Sequence, residues 1–177
     1  VEQVAFDVDG PFENVADTDF SLPENQRWVE QIVEKWKNLE IENIPLQIGG
    51  ELISNNMEGE GHDPSRPGQV AYRYAHASES LIDAALNVAV GHQEGWAKRP
   101  IAERKALLVK CAEHLANNRS ELLGGMMLDG GKNPMEADPE ISEAIDFANY
   151  YARSLDILEG ELSDVDFRPL GTVLITP

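Results

Sequence analysis

Residues Asp129 to Ser154 read DGGKNPMEADPEISEAIDFANYYARS, a turn followed by one strongly specified helix. Gly130 and Gly131 can take the positive φ that ends a preceding helix, and Asp138 and Pro139 are suited to be the N-cap and first-turn proline of the next. From there Ile141, Ala144, Ile145, Ala148, Ala152 and Leu155 recur at spacings of three and four, which makes one apolar stripe. Glu143, Phe147, Tyr150 and Ser154 fall on an adjacent face, so a carboxylate, two aromatic rings and a hydroxyl border the buried side of the helix.

A helix with one apolar stripe needs a partner, and the sequence ahead of it supplies one. From about Ile101 to Leu128, Leu107, Leu108, Cys111, Leu115, Leu122 and Met126 keep helical spacing, predicting a helix that pairs antiparallel with the Asp138 helix across the glycine turn. Pro100 opens that helix and closes the one before it, which Ser78 caps and in which Leu81, Ala84, Ala85, Val88, Ala89, His92 and Trp96 recur. Ser21 with Glu24 three residues on has capping-box spacing ahead of Trp28, Ile32, Val33, Trp36 and Leu39. Between these helices Leu46–Ile53 reads as two short strands about Gly49-Gly50, Ser54 to Gly68 as a loop, and Val70, Tyr72 and Tyr74 as a half-buried strand. Phe167 to Pro177 is rich in apolar and β-branched residues and predicts a final buried strand. Residues 1–20 are irregular and predict a linker or N-terminal arm that Phe6, Phe12 and Phe20 could pin down. The fold class expected is α+β, mostly helical with short strands.

Composition narrows the function. A chain of 177 residues with 42% hydrophobic residues can bury a core. Its formal net charge of −18, from 32 acidic and 14 basic side chains, argues against nucleic acid or an anionic membrane surface as direct partners, since both are bound through Lys and Arg. A single cysteine forms no internal disulfide, and no apolar run is long enough for a bilayer, so a cytoplasmic protein is expected. The first residue is Val and no charged-then-apolar leader follows, so a piece cut from something longer is expected. His62, His76, His92 and His114 show no ligand spacing, and no metal site is expected.

The strings Gly131-Lys132, Glu136-Ala137-Asp138, Glu143-Ala144-Ile145-Asp146-Phe147 and Tyr150-Tyr151-Ala152-Arg153 resemble the aldehyde dehydrogenase superfamily and, within it, the L-glutamate γ-semialdehyde (Δ1-pyrroline-5-carboxylate) dehydrogenases. Thr18-Asp19-Phe20-Ser21, the Leu46–Ile53 hairpin, Asp63-Pro64-Ser65 and the order Trp96, Pro100, Arg104, Leu107 extend the likeness over most of the chain. Asp129 departs from it, standing where that family usually has Glu ahead of Gly-Lys. The resemblance implies that residues 21–177 are the incomplete N-terminal portion of an aldehyde dehydrogenase α/β domain, with the Rossmann sheet largely missing. It implies NAD as cofactor of the parent enzyme, bound poorly by this piece alone, a small aldehyde as substrate, and a homo-oligomeric parent. FAD enters only if a proline dehydrogenase module precedes, as in a bifunctional proline-oxidising protein.

By the same resemblance Glu143 is a substrate-site carboxylate beside the aldehyde channel with Phe147 next to it, and Ile175, Thr176 and Pro177 form a wall of the NAD cleft. No catalytic residue is assigned, because the family's oxyanion asparagine, nucleophilic cysteine and general base would all follow Pro177. No glycine-rich dinucleotide fingerprint occurs in the chain. Cys111 shares a helical face with Leu107, Leu108 and Leu115 and is expected to be inert packing in the core. The expected function is therefore the N-terminal portion of a NAD-dependent enzyme of proline catabolism, inactive by itself. The alternatives are a non-catalytic acidic protein-interaction module, or part of another small-aldehyde dehydrogenase such as one for succinate semialdehyde.

Overall fold

A computed structural model describes residues 4–176, apart from the Glu159 side chain. Five helices carry about half of the chain: α1 (Pro23–Lys37), α2 (Glu79–Ala97), α3 (Ile101–Asn117), α4 (Arg119–Gly130) and α5 (Pro134–Glu159). Four short strands lie between α1 and α2: β1 (Leu46–Ile48), β2 (Glu51–Ile53), β3 (Gly59–His62) and β4 (Val70–Tyr74). The mostly helical α+β character read from the sequence is present, and among the described residues the antiparallel strands lie in two separate hairpins.

Helix α5 lies along α3 and α4, and α4 in turn meets α1. Ile141, Ile145 and Ala137 of α5 form one buried cluster with Ala112 of α3, Leu123 of α4 and Ile32 of α1, and Ala152 is buried further along α5. Ala144, counted in the stripe, is exposed instead. Trp36 of α1 lies against Gly124 so closely that a Cβ there would fall within the indole ring.

Several boundaries differ from the sequence reading, each for a local reason. Helix α5 begins at Pro134, not after Asp138: Asn133 accepts from Glu136 N at 3.1 Å while the Glu136 carboxylate accepts from Asn133 N at 3.0 Å, a reciprocal cap. Pro139 therefore sits inside the helix. The helix expected over 101–128 is two, broken at Asn118, whose side-chain amide donates to the His114 carbonyl at 2.8 Å and competes with the helical pattern. Gly131 alone ends α4, at φ 63°. Leu22, not Ser21, is the N-cap of α1; the Ser21 hydroxyl donates instead to Asp19 at 2.6 Å, which with the Ser21 backbone bond holds that carboxyl below its usual range.

The β1–β2 hairpin matches expectation, pairing Leu46 with Ile53 and Ile48 with Glu51 about Gly49 and Gly50, both at positive φ. Residues 59–62, read as loop, form β3 because Gly59 and Gly61 leave room under the Tyr74 and Tyr72 rings of the paired β4. The strand expected at 167–177 is absent among the described residues: 167–176 run as exposed chain with no strand beside them, and Pro177 lies outside the described residues. Cys111 is exposed, since α3 buries the neighbouring Ala112 and turns Cys111 away. Among the described residues no helix is long and apolar enough to cross a membrane.

Residues 4–20 run over α3, α4 and α5 as an arm. Val4 N donates to Asn117 Oδ1 at 3.0 Å. Arg153 of α5 donates to the carbonyls of Asp7 at 2.7 Å and Val8 at 3.1 Å, and also to that of Gly10. Lys105 Nζ joins Asp9 at 3.2 Å to Asp156 at 2.8 Å, and these two carboxylates, Asp156 foremost, raise its pKa against the opposing effect of burial.

Candidate functional site

The face of α5 bordering its buried stripe carries Pro139, Ser142, Glu143, Asp146, Phe147, Tyr150 and Tyr151, and the arm crosses above it. Asp146 fixes that crossing: its two carboxylate oxygens accept from Asn14 Nδ2 at 2.7 Å and from Val15 N at 2.8 Å. Phe12 adds an edge-to-face contact with Tyr150, centroids 5.5 Å apart. Between arm and helix a cavity of about 530 Å³ is left, lined from the arm by Phe12, Asn14, Val15 and Asp17. Its size suits a small molecule, and its walls combine four aromatic rings with three carboxylates.

Its floor is fixed from below. Asp138 is fully buried and accepts from Arg119 at 2.7 Å, from Thr18 N at 2.6 Å and from the Thr18 hydroxyl at 2.8 Å. Arg119 also donates to Ser142 Oγ at 2.6 Å. Asp138, expected to cap a helix, thus joins α4, α5 and the arm immediately beneath the cavity. Lys132 pairs with Glu140, and among the described residues no group of three or more His, Cys, Asp or Glu is placed to hold a metal ion.

Glu143 and Phe147 line this one cavity together, both exposed. Ile175 and Thr176 do not line it. They lie in the exposed C-terminal segment, Ile175 at 83% exposure, while the part just before them, Phe167 to Val173, borders a different cavity with Trp96 and Arg104. Pro177 lies outside the described residues. The residues missed by sequence reasoning are those of the arm, above all Phe12 and Asp17. The one signal for them was the recurrence of Phe in an otherwise polar segment.

The part of the chain that holds the α5 face is covered by comparison with known proteins. A family model described as "Aldehyde dehydrogenase family" matches residues 54–177. The chain belongs to the aldehyde dehydrogenase family. It is 28% identical over 176 residues to the 1-pyrroline-5-carboxylate dehydrogenase of Bacillus pumilus, covering 94% of this chain and 34% of that protein. Among solved structures, a Thermus 1-pyrroline-5-carboxylate dehydrogenase with bound NAD matches with a TM-score of 0.80 and 30% identity over 90% of this chain and 31% of its own. Proline utilization A from Bdellovibrio bacteriovorus matches with a TM-score of 0.79 and 27% identity, over 84% of this chain and 15% of its own. The chain thus spans about a third of the length of the curated relatives it matches.

Aldehyde dehydrogenases of this family use NAD, and the residues described here do not fit it as a self-contained site. A dinucleotide pyrophosphate is held where a strand turns through glycines into a helix. Among the described residues each strand lies in a two-stranded hairpin, and the segment implied to face the nucleotide has exposed side chains at Val173, Leu174 and Ile175.

Proposed function

We propose that this chain is the N-terminal portion of a NAD-dependent L-glutamate γ-semialdehyde dehydrogenase, which oxidises the proline-derived aldehyde to glutamate, and that the chain by itself does not turn over. Residues 1–20 are its N-terminal arm and residues 21–177 the first part of the dehydrogenase domain. The observation that carries this reading is the likeness over 94% of the chain to proteins named 1-pyrroline-5-carboxylate dehydrogenase. Glu143 and Phe147 face the substrate in it, supported by their shared place on the cavity wall. Ile175, Thr176 and Pro177 contribute one wall of the NAD cleft, completed by chain that this piece does not contain. The whole enzyme works in the cytoplasm as a homo-oligomer on a small aldehyde, without nucleic acid or membrane.

No residue here supplies the attack on the aldehyde carbon. Cys111 sits on an exposed helical face of α3, away from the Glu143 cavity, and does not line it. Positioning without a nucleophile gives no covalent intermediate, so binding alone leaves the aldehyde unreacted. In the complete enzyme, Glu143→Ala should lower kcat/KM for the semialdehyde by about tenfold or more, a loss of roughly 1.4 kcal/mol of transition-state stabilisation. The purified chain with NAD and Δ1-pyrroline-5-carboxylate should give no rise in absorbance at 340 nm. NADH formation by the chain, or an unchanged kcat/KM in the variant, would overturn the reading.

A further inference from the structure

Where the end of α2, the start of α3, the end of α5 and the segment 167–173 meet, a cavity of about 360 Å³ opens, separate from the one beside Glu143. Trp96, Ile101, Leu158 and Phe167 give it apolar walls, and Arg104 and Arg168 give it charge. None of its described lining residues is acidic, in a chain whose formal net charge is −18. The Glu143 cavity is the reverse, with three carboxylates and no base among its described lining.

Arg104 is the reason to expect an occupant. The other basic side chains near it in sequence are already paired: Lys98 with Glu94, Arg99 with Glu103 at 3.2 Å, and Lys105 with Asp156 at 2.8 Å. Arg104 is half-buried, its side chain has no ion pair or hydrogen bond to any described residue, and its Nε is buried without a partner. It also stands at the end of the first turn of α3, where the positive end of the helix disfavours a cation. A guanidinium withdrawn from water and left without a counter-charge is unfavourable, and an anion beside it removes that cost. Arg168 differs, being 87% exposed and paired with Asp166 at 3.3 Å, so it lends charge only at the rim.

The walls select among anions. A planar guanidinium meets a carboxylate through two parallel N–H···O bonds. The apolar sides would leave most oxygens of a phosphate without donors, whereas they bury the hydrocarbon body of an organic acid. A neutral apolar molecule would gain nothing from Arg104.

We propose that this cavity binds a small monocarboxylate with an apolar body, its carboxylate on Arg104 and its body against Trp96 and Phe167. The site uses no residue of the Glu143 cavity and needs no turnover, so it stands apart from the substrate reading and can be tested on the 177-residue chain.

Benzoate, its neutral isostere benzamide and inorganic phosphate separate the charge, the apolar body and a bare anion. Titrated into the chain at fixed ionic strength and followed by NMR, benzoate should shift the Trp96 indole N–H signal and the amides of Ile101 to Arg104, leaving the Trp28 and Trp36 indoles in place. Benzamide and phosphate should each bind about tenfold or more weakly, the first by the scale of a charge-assisted pair of hydrogen bonds. Arg104→Gln should abolish the preference for benzoate over benzamide, and Arg104→Lys should keep part of it, since the charge remains without the planar fork. Arg168→Gln changes an exposed side chain and should weaken benzoate several-fold with the fold intact. Equal affinity for benzoate and benzamide, phosphate binding as tightly as benzoate, or shifts at Trp28 or Trp36 in place of Trp96 would overturn the proposal. So would an undiminished benzoate preference in Arg104→Gln or, should that variant not fold, unchanged benzoate affinity in Arg168→Gln.

Discussion

Burying a carboxylate completely is costly unless charge and hydrogen bonds replace water around it. Asp138 meets that condition with Arg119 and both donors of Thr18. Removing its only described cationic partner should therefore cost far more than a surface pair would. Arg119→Met is expected to lower stability by about 3 to 5 kcal/mol, because it leaves the buried Asp138 charge and the Ser142 hydroxyl without the guanidinium. Urea denaturation at pH 7 measures it, and a loss below about 1 kcal/mol would put the pair among ordinary surface ion pairs. The sequence pattern around Asp138 invited a cap, because Asp before Pro is a common helix start. What decided otherwise was Asn133, whose own cap box lies five residues earlier, and an arginine 19 residues away that no local pattern could connect.

Tyr72 makes a contact with another carboxylate, Asp129. Its hydroxyl donates to Asp129, and that bond first, then burial and the Asp129 charge, push its pKa from 10.0 to about 12. The folded value lies above the unfolded one, so the contribution of this contact is full below pH 10, declines between pH 10 and about 12, and is gone above. In a titration followed at 295 nm, one of the four tyrosines should ionise late, and Tyr72→Phe should abolish that late step. Four tyrosines titrating together near pH 10 would contradict the contact.

At the scale of elements, the contact between α1 and α4 turns on a pair of adjacent glycines. In a helix interior Ala is favoured over Gly by about 1 kcal/mol, so either position should gain from a methyl group if there is space for it. A Cβ on Gly125 meets only the Trp36 ring edge at 3.8 Å, ordinary contact, whereas one on Gly124 would fall within the indole. Gly125→Ala should therefore raise the thermal midpoint, by up to about 1 kcal/mol of stability. Gly124→Ala should lower stability by about 1 to 3 kcal/mol and shift tryptophan fluorescence, since α1 must move to admit it. Equal effects at the two sites would mean that the indole does not rest on α4. Helical structure over α1, α2, α5 and the α3–α4 stretch was legible from its apolar spacing, and the β1–β2 hairpin from its glycine pair. The breaks were less so: Asn118 divides α3 from α4 through one side-chain bond. Strand β3 contains too few apolar residues for any period, being set by what lies above its glycines. The final segment reads as a buried strand because it is apolar, yet an apolar run becomes a strand only beside another, and among the described residues none is paired with it.

For the molecule as a whole the arm is the part the sequence conveyed least, because its bonds to the helices join residues from 96 to 146 positions apart. Half of the candidate site was legible for the same reason that half was not. Glu143 and Phe147 share a helical face four residues apart, whereas Phe12 and Asp17 reach the cavity only through tertiary contacts. The arm serves the buried Asp138 and the half-buried Asp146 and Arg153 of α5 and the Lys105 ammonium of α3, so both helices, α5 above all, depend on it for polar satisfaction. Hydrogen bonds to charged groups contribute about 1.5 to 3 kcal/mol each, less where solvent reaches them. Deleting residues 1–20 should thus cost about 5 kcal/mol or more, a large share of the stability of a domain this size. It should also open the cavity on one side, so amides of α5 from about Asp138 to Arg153 should gain hydrogen exchange beyond what global destabilisation alone produces. A shortened chain with the same urea midpoint and the same α5 protection would make residues 1–20 a tether with no part in the fold.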